Sequence, residues 1–168
     1  MMVFTLERQR VKLANFNARA ELHGEDREPA ADLKIEMLAP NDILSEFDSD
    51  LKSSLYRKPN ANGDQAELLD TGPGYLPKLR FPRMGEFAWD EKMEHAELTI
   101  HQGRSDLNLI ECIVDSFKFA PADGGQIGLT FRVRCKPDER QAGKLYTLTQ
   151  QAIDVTLKPQ PEPAPLTA

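Results

Sequence analysis

Gln126-Ile127-Gly128-Leu129-Thr130-Phe131-Arg132-Val133-Arg134-Cys135 alternates apolar and polar side chains without a break. A period of two puts Ile127, Leu129, Phe131, Val133 and Cys135 on one face and Gly128, Thr130, Arg132 and Arg134 on the other. That is the pattern of a strand with one buried and one wet side. Ala122-Asp123-Gly124-Gly125, just before it, reads as a turn. Leu107 to Phe119, before the turn, is apolar enough for a central strand, and its phase slips near Leu109-Ile110, which predicts a bulge.

Further out the same period recurs. Phe16, Ala18, Ala20 and Leu22 alternate with Asn17, Arg19 and Glu21, and Ala31, Leu33, Ile35 and Met37 alternate with Asp32, Lys34 and Glu36. The polar stretch HGEDREPA between them predicts a long-looped β-hairpin with both apolar faces buried. Leu98 and Ile100 alternate within 97–101. Lys136 to Gly143 reads as a polar turn, and Lys144 to Leu157 as a strand with a phase change near Thr149 to Gln151.

Only residues 42–57 break this period. Ile43, Leu44, Phe47, Leu51 and Leu55 have helical spacing, Asn41 or Asp42 can cap the first turn, and Pro59 stops it, so one helix is expected there. Residues 58–77, with Asn62-Gly63 and Gly72-Pro73-Gly74, form one long loop. The expected fold is mainly β (α+β): an antiparallel barrel or sandwich of six or seven strands, OB-like in one version, with one helix and one long loop. Residues 1–158 form a single domain. Residues 159–168 (PQPEPAPLTA after Lys158) form a proline-rich tail without core residues.

Composition narrows the function classes. At 40% hydrophobic and 29% charged, the chain has the apolar content to fold and no run near the roughly 20 apolar residues of a membrane span. The opening MMVFTLERQRVKLANF carries charges where a signal peptide needs an apolar segment, so a cytoplasmic protein is expected. Cys112 and Cys135 lie in apolar strands and read as small core hydrophobes, able to pair only if neighbouring strands bring them together. The net charge of −6 is uneven: residues 21–50 hold ten acids against Arg27 and Lys34. That argues against nonspecific attraction to duplex DNA but leaves room for a local basic groove.

Motifs for phosphate loops, dinucleotides, zinc proteases and serine hydrolases are missing, so no enzyme, cofactor or metal is expected. His95, Glu97 and His101 share parity on one strand, yet two histidines six residues apart stand about 20 Å from each other. They read as a polar strand face.

One segment carries recognisable chemistry. Lys78, Arg80 and Arg83 interleave with Phe81, Phe87 and Trp89. Cations for phosphates and flat rings for bases are what a binder of single-stranded nucleic acid needs. Arg132 and Arg134 project from the wet face of the cleanest strand and, with Lys118 and Lys136 nearby in sequence, can line the same groove. The candidate contacts are therefore Lys78, Arg80, Phe81, Arg83, Trp89, Arg132 and Arg134. The alternative is that the rings are core and the cations solubilise their strand. As exposed charges, Arg80 and Arg132 are expected to be removable without loss of fold.

NFNARAELHGEDREPAADLKIEM (15–37) and FRVRCKPDERQAGKLYTLTQQAIDVTL (131–157) resemble uncharacterised accessory proteins encoded by phages and prophages. The order of hairpin, short helix and later β-meander resembles phage-encoded single-stranded DNA-binding proteins with OB-like cores. The resemblance implies a non-enzymatic nucleic-acid-binding module in the cytoplasm of a bacterial host, able to form homo-oligomers. The acidic tail common in such binders is absent, since PQPEPAPLTA holds only Glu162. The other reading is a protein-interaction, virion-structural or assembly protein, or an inhibitor of a host protein, that uses the acidic surface of residues 21–50.

Overall fold

A computed structural model describes residues 2–59 and 74–161. The strands are β1 (Leu6–His23), β2 (Asp26–Pro40), β3 (Tyr56–Arg57), β4 (Lys78–Leu79), β5 (Phe87–Trp89), β6 (Met93–His101), β7 (Leu107–Ala122), β8 (Gln126–Cys135) and β9 (Ala152–Pro159). A 3-10 helix (Asn41–Glu46), α1 (Leu51–Leu55) and α2 (Glu139–Leu148) complete the described elements.

Six strands close on themselves in the order β7-β6-β9-β1-β2-β8, with β8 returning to β7, and every pairing is antiparallel. Closure pairs each barrel strand on both sides, and the outer half of the β1–β2 hairpin extends beyond it. The chain is thus mainly β, in a closed barrel compatible with the OB-like type, with one strand more than the usual five. The short β5 adds to β7 alongside Phe117–Phe119, and β3 pairs with β4 in a separate two-stranded sheet.

The alternating residues of β8 all reach the core, from Ile127 to Cys135. So do Leu33, Ile35 and Met37 of β2, Leu98 and Ile100 of β6, and Val155 and Leu157 of β9. Phe4, Phe47, Phe117, Phe119 and Phe131 meet in the interior, with Phe47 edge-on to Phe117 at 5.0 Å and to Phe119 at 4.8 Å between ring centres. Tyr56 helps seal this end: its hydroxyl donates to the Gln126 carbonyl at 2.7 Å and accepts from the Ala122 amide at 3.2 Å.

The bulge expected near Leu109-Ile110 is present. Leu98 faces Leu109 while Ala96 faces Cys112, so β7 carries one extra residue there, and Glu111 adopts a φ of 56°. Other expectations need correction. The loop of the first hairpin is a tight turn at Gly24-Glu25, with Gly24 at φ 67°. Its apolar faces are not both buried: a register shift between Leu13 and Asn15 starts an outer half that runs past the barrel, where Ala18 and Ala20 are exposed and Leu22 is 69% exposed.

The single helix over 42–57 is two pieces, the 3-10 helix and α1. The Asp48 carboxylate accepts the Asp50 amide at 2.8 Å and so diverts the backbone into a turn, as Asp does. The same apolar face is still used, since Leu44, Phe47 and Leu55 are buried. The strand expected over 144–157 and the turn before it are α2 followed by β9. Asp138 caps Gln141 and Gln141 returns to the Asp138 amide, a reciprocal capping box that starts a helix where a turn was expected. Leu145 and Leu148 anchor α2 to the core. The turn signals at Asn62-Gly63 and Gly72-Pro73, and the proline-rich residues 162–168, lie outside the described residues.

Candidate nucleic-acid interface

Facing residues of an antiparallel pair project to the same side, so the ladders stack outward side chains into rows across the barrel wall. Asn15, Lys34, Arg132 and Asp115 form one row. Lys12, Glu36, Thr130, Lys118 and Ala88 form the next, and Leu38, Gly128 and Ala120 a third. Short side chains in the middle of these rows keep the floor low; the Ala120 methyl already stands 3.4 Å from where a Gly128 Cβ would sit. The result is a shallow trough of about 370 Å³ across β1, β2, β8 and β7, lined among others by Asn15, Lys34, Lys118, Thr130 and Arg132. It continues towards β5 past Ser116 and Ala88.

A second bulge shapes this surface. The β7–β8 register shifts between Asp115 and Lys118, with Ser116 at φ 56°. The irregularity sets the Asp115 carboxylate, almost buried, between two arginines. Arg132 donates to it twice, Nε to Oδ1 at 2.8 Å and Nη2 to Oδ2 at 2.9 Å. Arg134 Nη2 lies 2.9 Å from Oδ2, while its Nε is buried without an acceptor among the described residues. Burial pushes the Asp115 carboxyl up, but the Arg132 hydrogen bond and the charges of Arg132 and Arg134 outweigh it and hold the group below its ordinary value. The same carboxylate raises the Arg132 guanidinium.

The sequence candidates separate in space. Arg132, Lys118 and an edge of Trp89 share one depression. Trp89 is largely a core residue: it is half-buried, packs edge-on to Phe47 at 6.4 Å, and donates its indole N–H to Glu91 at 2.8 Å. Its place on the Phe117 side of β5, opposite to outward Ala88, turns it towards Phe47. Phe81 is the exposed ring, at 53%, on a turn closed by the Met84 amide on the Phe81 carbonyl. Arg83 is exposed on the same turn.

Arg80 is committed elsewhere. Its Nε donates to the Ser53 carbonyl at 2.6 Å and the Tyr56 carbonyl at 3.1 Å, tying the stretch after β4 to the end of α1. Lys78 is half-buried in β4. Neither Arg80 nor Arg132 is therefore the free exposed charge expected; each holds structure. Lys118, expected in this groove, and Lys34, missed in the sequence, supply the exposed cations of the trough, and Lys12, also missed, stands exposed at the end of the neighbouring row. Their even spacing with Arg132 across paired strands was the signal, readable only once the strand order was known.

Elsewhere, His95 hydrogen-bonds Glu111 at 2.9 Å, and His101 reaches Thr156 at 2.7 Å and Asp106 at 3.4 Å. The two histidines belong to separate clusters, and the described residues hold no group of side chains able to bind a metal ion. Among the described residues no helix is long and apolar enough to cross a membrane. Comparison with known protein families, with curated proteins and with solved structures finds no match.

Proposed function

We propose that this chain is a non-enzymatic module that grips single-stranded nucleic acid along the trough over β2, β8 and β7, in the cytoplasm of a phage-bearing bacterium. The observation that carries the reading is the row structure: exposed Lys34 and Lys118 flank Arg132 over a floor that includes Asn15, Asn17 and Thr130, with exposed Lys12 at the end of the neighbouring row. Cations at strand spacing suit successive phosphates, and a shallow neutral floor admits bases of any sequence. Exposed Phe81 supplies the ring for stacking, and Arg83 a further cation beside it.

Asp32, Glu36 and Glu86 line the same trough, with Glu36 paired to Lys34 at 3.8 Å, and limit the pull, so a micromolar grip is expected rather than a tight one. Fluorescence anisotropy with a labelled oligothymidylate tests this. Binding at low salt that weakens with a log–log slope of about 2 to 3 supports it. No anisotropy change at tens of micromolar protein contradicts it.

A second reading, assembly through protein contacts, has its own support in the outer half of the β1–β2 hairpin. Beyond Ala14 β1 has no further backbone pairing towards β9, and before Ala31 β2 has none to β8, so among the described residues both edges are open there. Unpaired edges beside exposed Leu22 favour strand addition. Size-exclusion chromatography with light scattering decides it: a stable oligomer lost in Leu22→Lys supports assembly, and a monomer at all concentrations contradicts it.

A further inference from the structure

The pairing of Asp115 with Arg132 uses only part of the arginine. A guanidinium has five N–H donors. Asp115 takes Nε and one N–H of Nη2, and no acceptor among the described residues takes the others. The remaining edge is held in one plane by the bidentate contact, and it borders the trough. Lys118, one ladder step away opposite Thr130, lines the same depression and makes no ion pair among the described residues. Diagonal neighbours on paired strands stand about 7–8 Å apart, which two long cationic side chains can bridge through one tetrahedral anion.

We propose that Arg132 and Lys118 form a subsite for one backbone phosphate, with Asp115 as the positioning residue that fixes the Arg132 edge. This rests on the nucleic-acid reading above and adds its anchor point. It makes a prediction against simple charge counting. Removing a negative charge from a polyanion's path would by itself tighten binding. Here the loss of Asp115 frees the Arg132 side chain to wander and weakens binding, because a pre-oriented fork loses less freedom on contact than a loose one.

The test uses the full chain, a fluorescein-labelled ten-residue oligothymidylate, inorganic phosphate, and the arginine Nε–Hε signals in ¹H–¹⁵N spectra. In the wild type, both the oligonucleotide and millimolar phosphate shift the Arg132 signal and the Lys118 amide. Asp115→Asn raises the oligonucleotide Kd about fivefold with an unchanged far-UV spectrum, and Lys118→Gln weakens binding and lowers the salt slope by about one. Should Asp115→Asn unfold the chain, Arg132→Lys takes its place, and a Kd equal to that of the wild type overturns the subsite.

Equal or tighter binding by a folded Asp115→Asn overturns the positioning role while leaving the nucleic-acid reading standing. Oligonucleotide binding that leaves Arg132 and Lys118 unmoved overturns the subsite alone. Phosphate shifts without oligonucleotide binding keep the subsite and remove the polynucleotide reading. No shift with either probe removes both.

Discussion

Asp115 shows how one carboxylate can serve stability and surface chemistry together. Its two arginines make it acidic, so its folded-state affinity for protons is lower than in the unfolded chain. The stability it contributes is complete above the ordinary aspartate value of about 4 and is lost as pH falls through its lower folded value. Asp115→Asn should therefore cost about 2 kcal/mol at neutral pH, and the cost should shrink in urea titrations repeated below about pH 4. A constant cost across that range contradicts the ion pairing. Cys112 and Cys135 behave in the opposite sense. Both thiols are buried, and burial pushes their ionisation up to about 12. Their stabilisation is present below the ordinary thiol value of about 8.5 and is lost as pH rises above it. Native protein at pH 8 should react with a thiol-specific disulfide reagent only as fast as it unfolds, and denatured protein at once. Rapid native labelling would show that the strands around them open freely.

At the scale of elements, the long strands were legible, the helical stretch at 42–57 was legible though it folds as two pieces, and α2 was not. Ile127 to Cys135 could be read because each inward residue is apolar and each outward one is polar or glycine, a pattern that survives any neighbour. Residues 16–22 carry the same period, yet they bury little, because strand length in the sequence says nothing about where the partner strands stop. Residues 144–148 read as strand for their apolar content, but Leu145 and Leu148 stand at helical spacing, and Asp138 and Gln141 supply the cap that starts the helix. That capping box predicts a local cost: Asp138→Ala should lower stability by about 1 kcal/mol in chemical denaturation, and no change would mean α2 is held by Leu145 and Leu148 alone. Phe47, outside any strand, packs on four other rings. Phe47→Ala should cost about 3–4 kcal/mol, seen as a marked fall in Tm, and a loss below about 1 kcal/mol contradicts its place in the core.

For the whole molecule, the acidic balance is less uniform in space than along the chain. Glu21 and Asp32 bind Arg19, Glu28 binds Lys136, and Asp42 binds Lys52, so much of the acidic run at 21–50 is spent on neighbouring cations. The trough keeps Lys34 and Lys118 on its surface. Part of the candidate site could be read in the sequence: Arg132 faces the trough as its alternation required, and Phe81 and Arg83 are exposed. The roles of Arg80 and Trp89 could not be read, because exposed Arg80 is tied to two carbonyls and Trp89 packs on a ring, all distant in sequence. The trough itself arises from the pairing of β1, β2, β8 and β7, which is fixed by closure of the barrel and not by any one segment. Photo-crosslinking of a bromodeoxyuridine oligonucleotide, followed by peptide mapping, tests the central claim most directly. The claim predicts adducts on the outward residues of β2, β7 and β8 and on the Phe81 turn; adducts confined to the β6–β9 wall, or none at all, would contradict it.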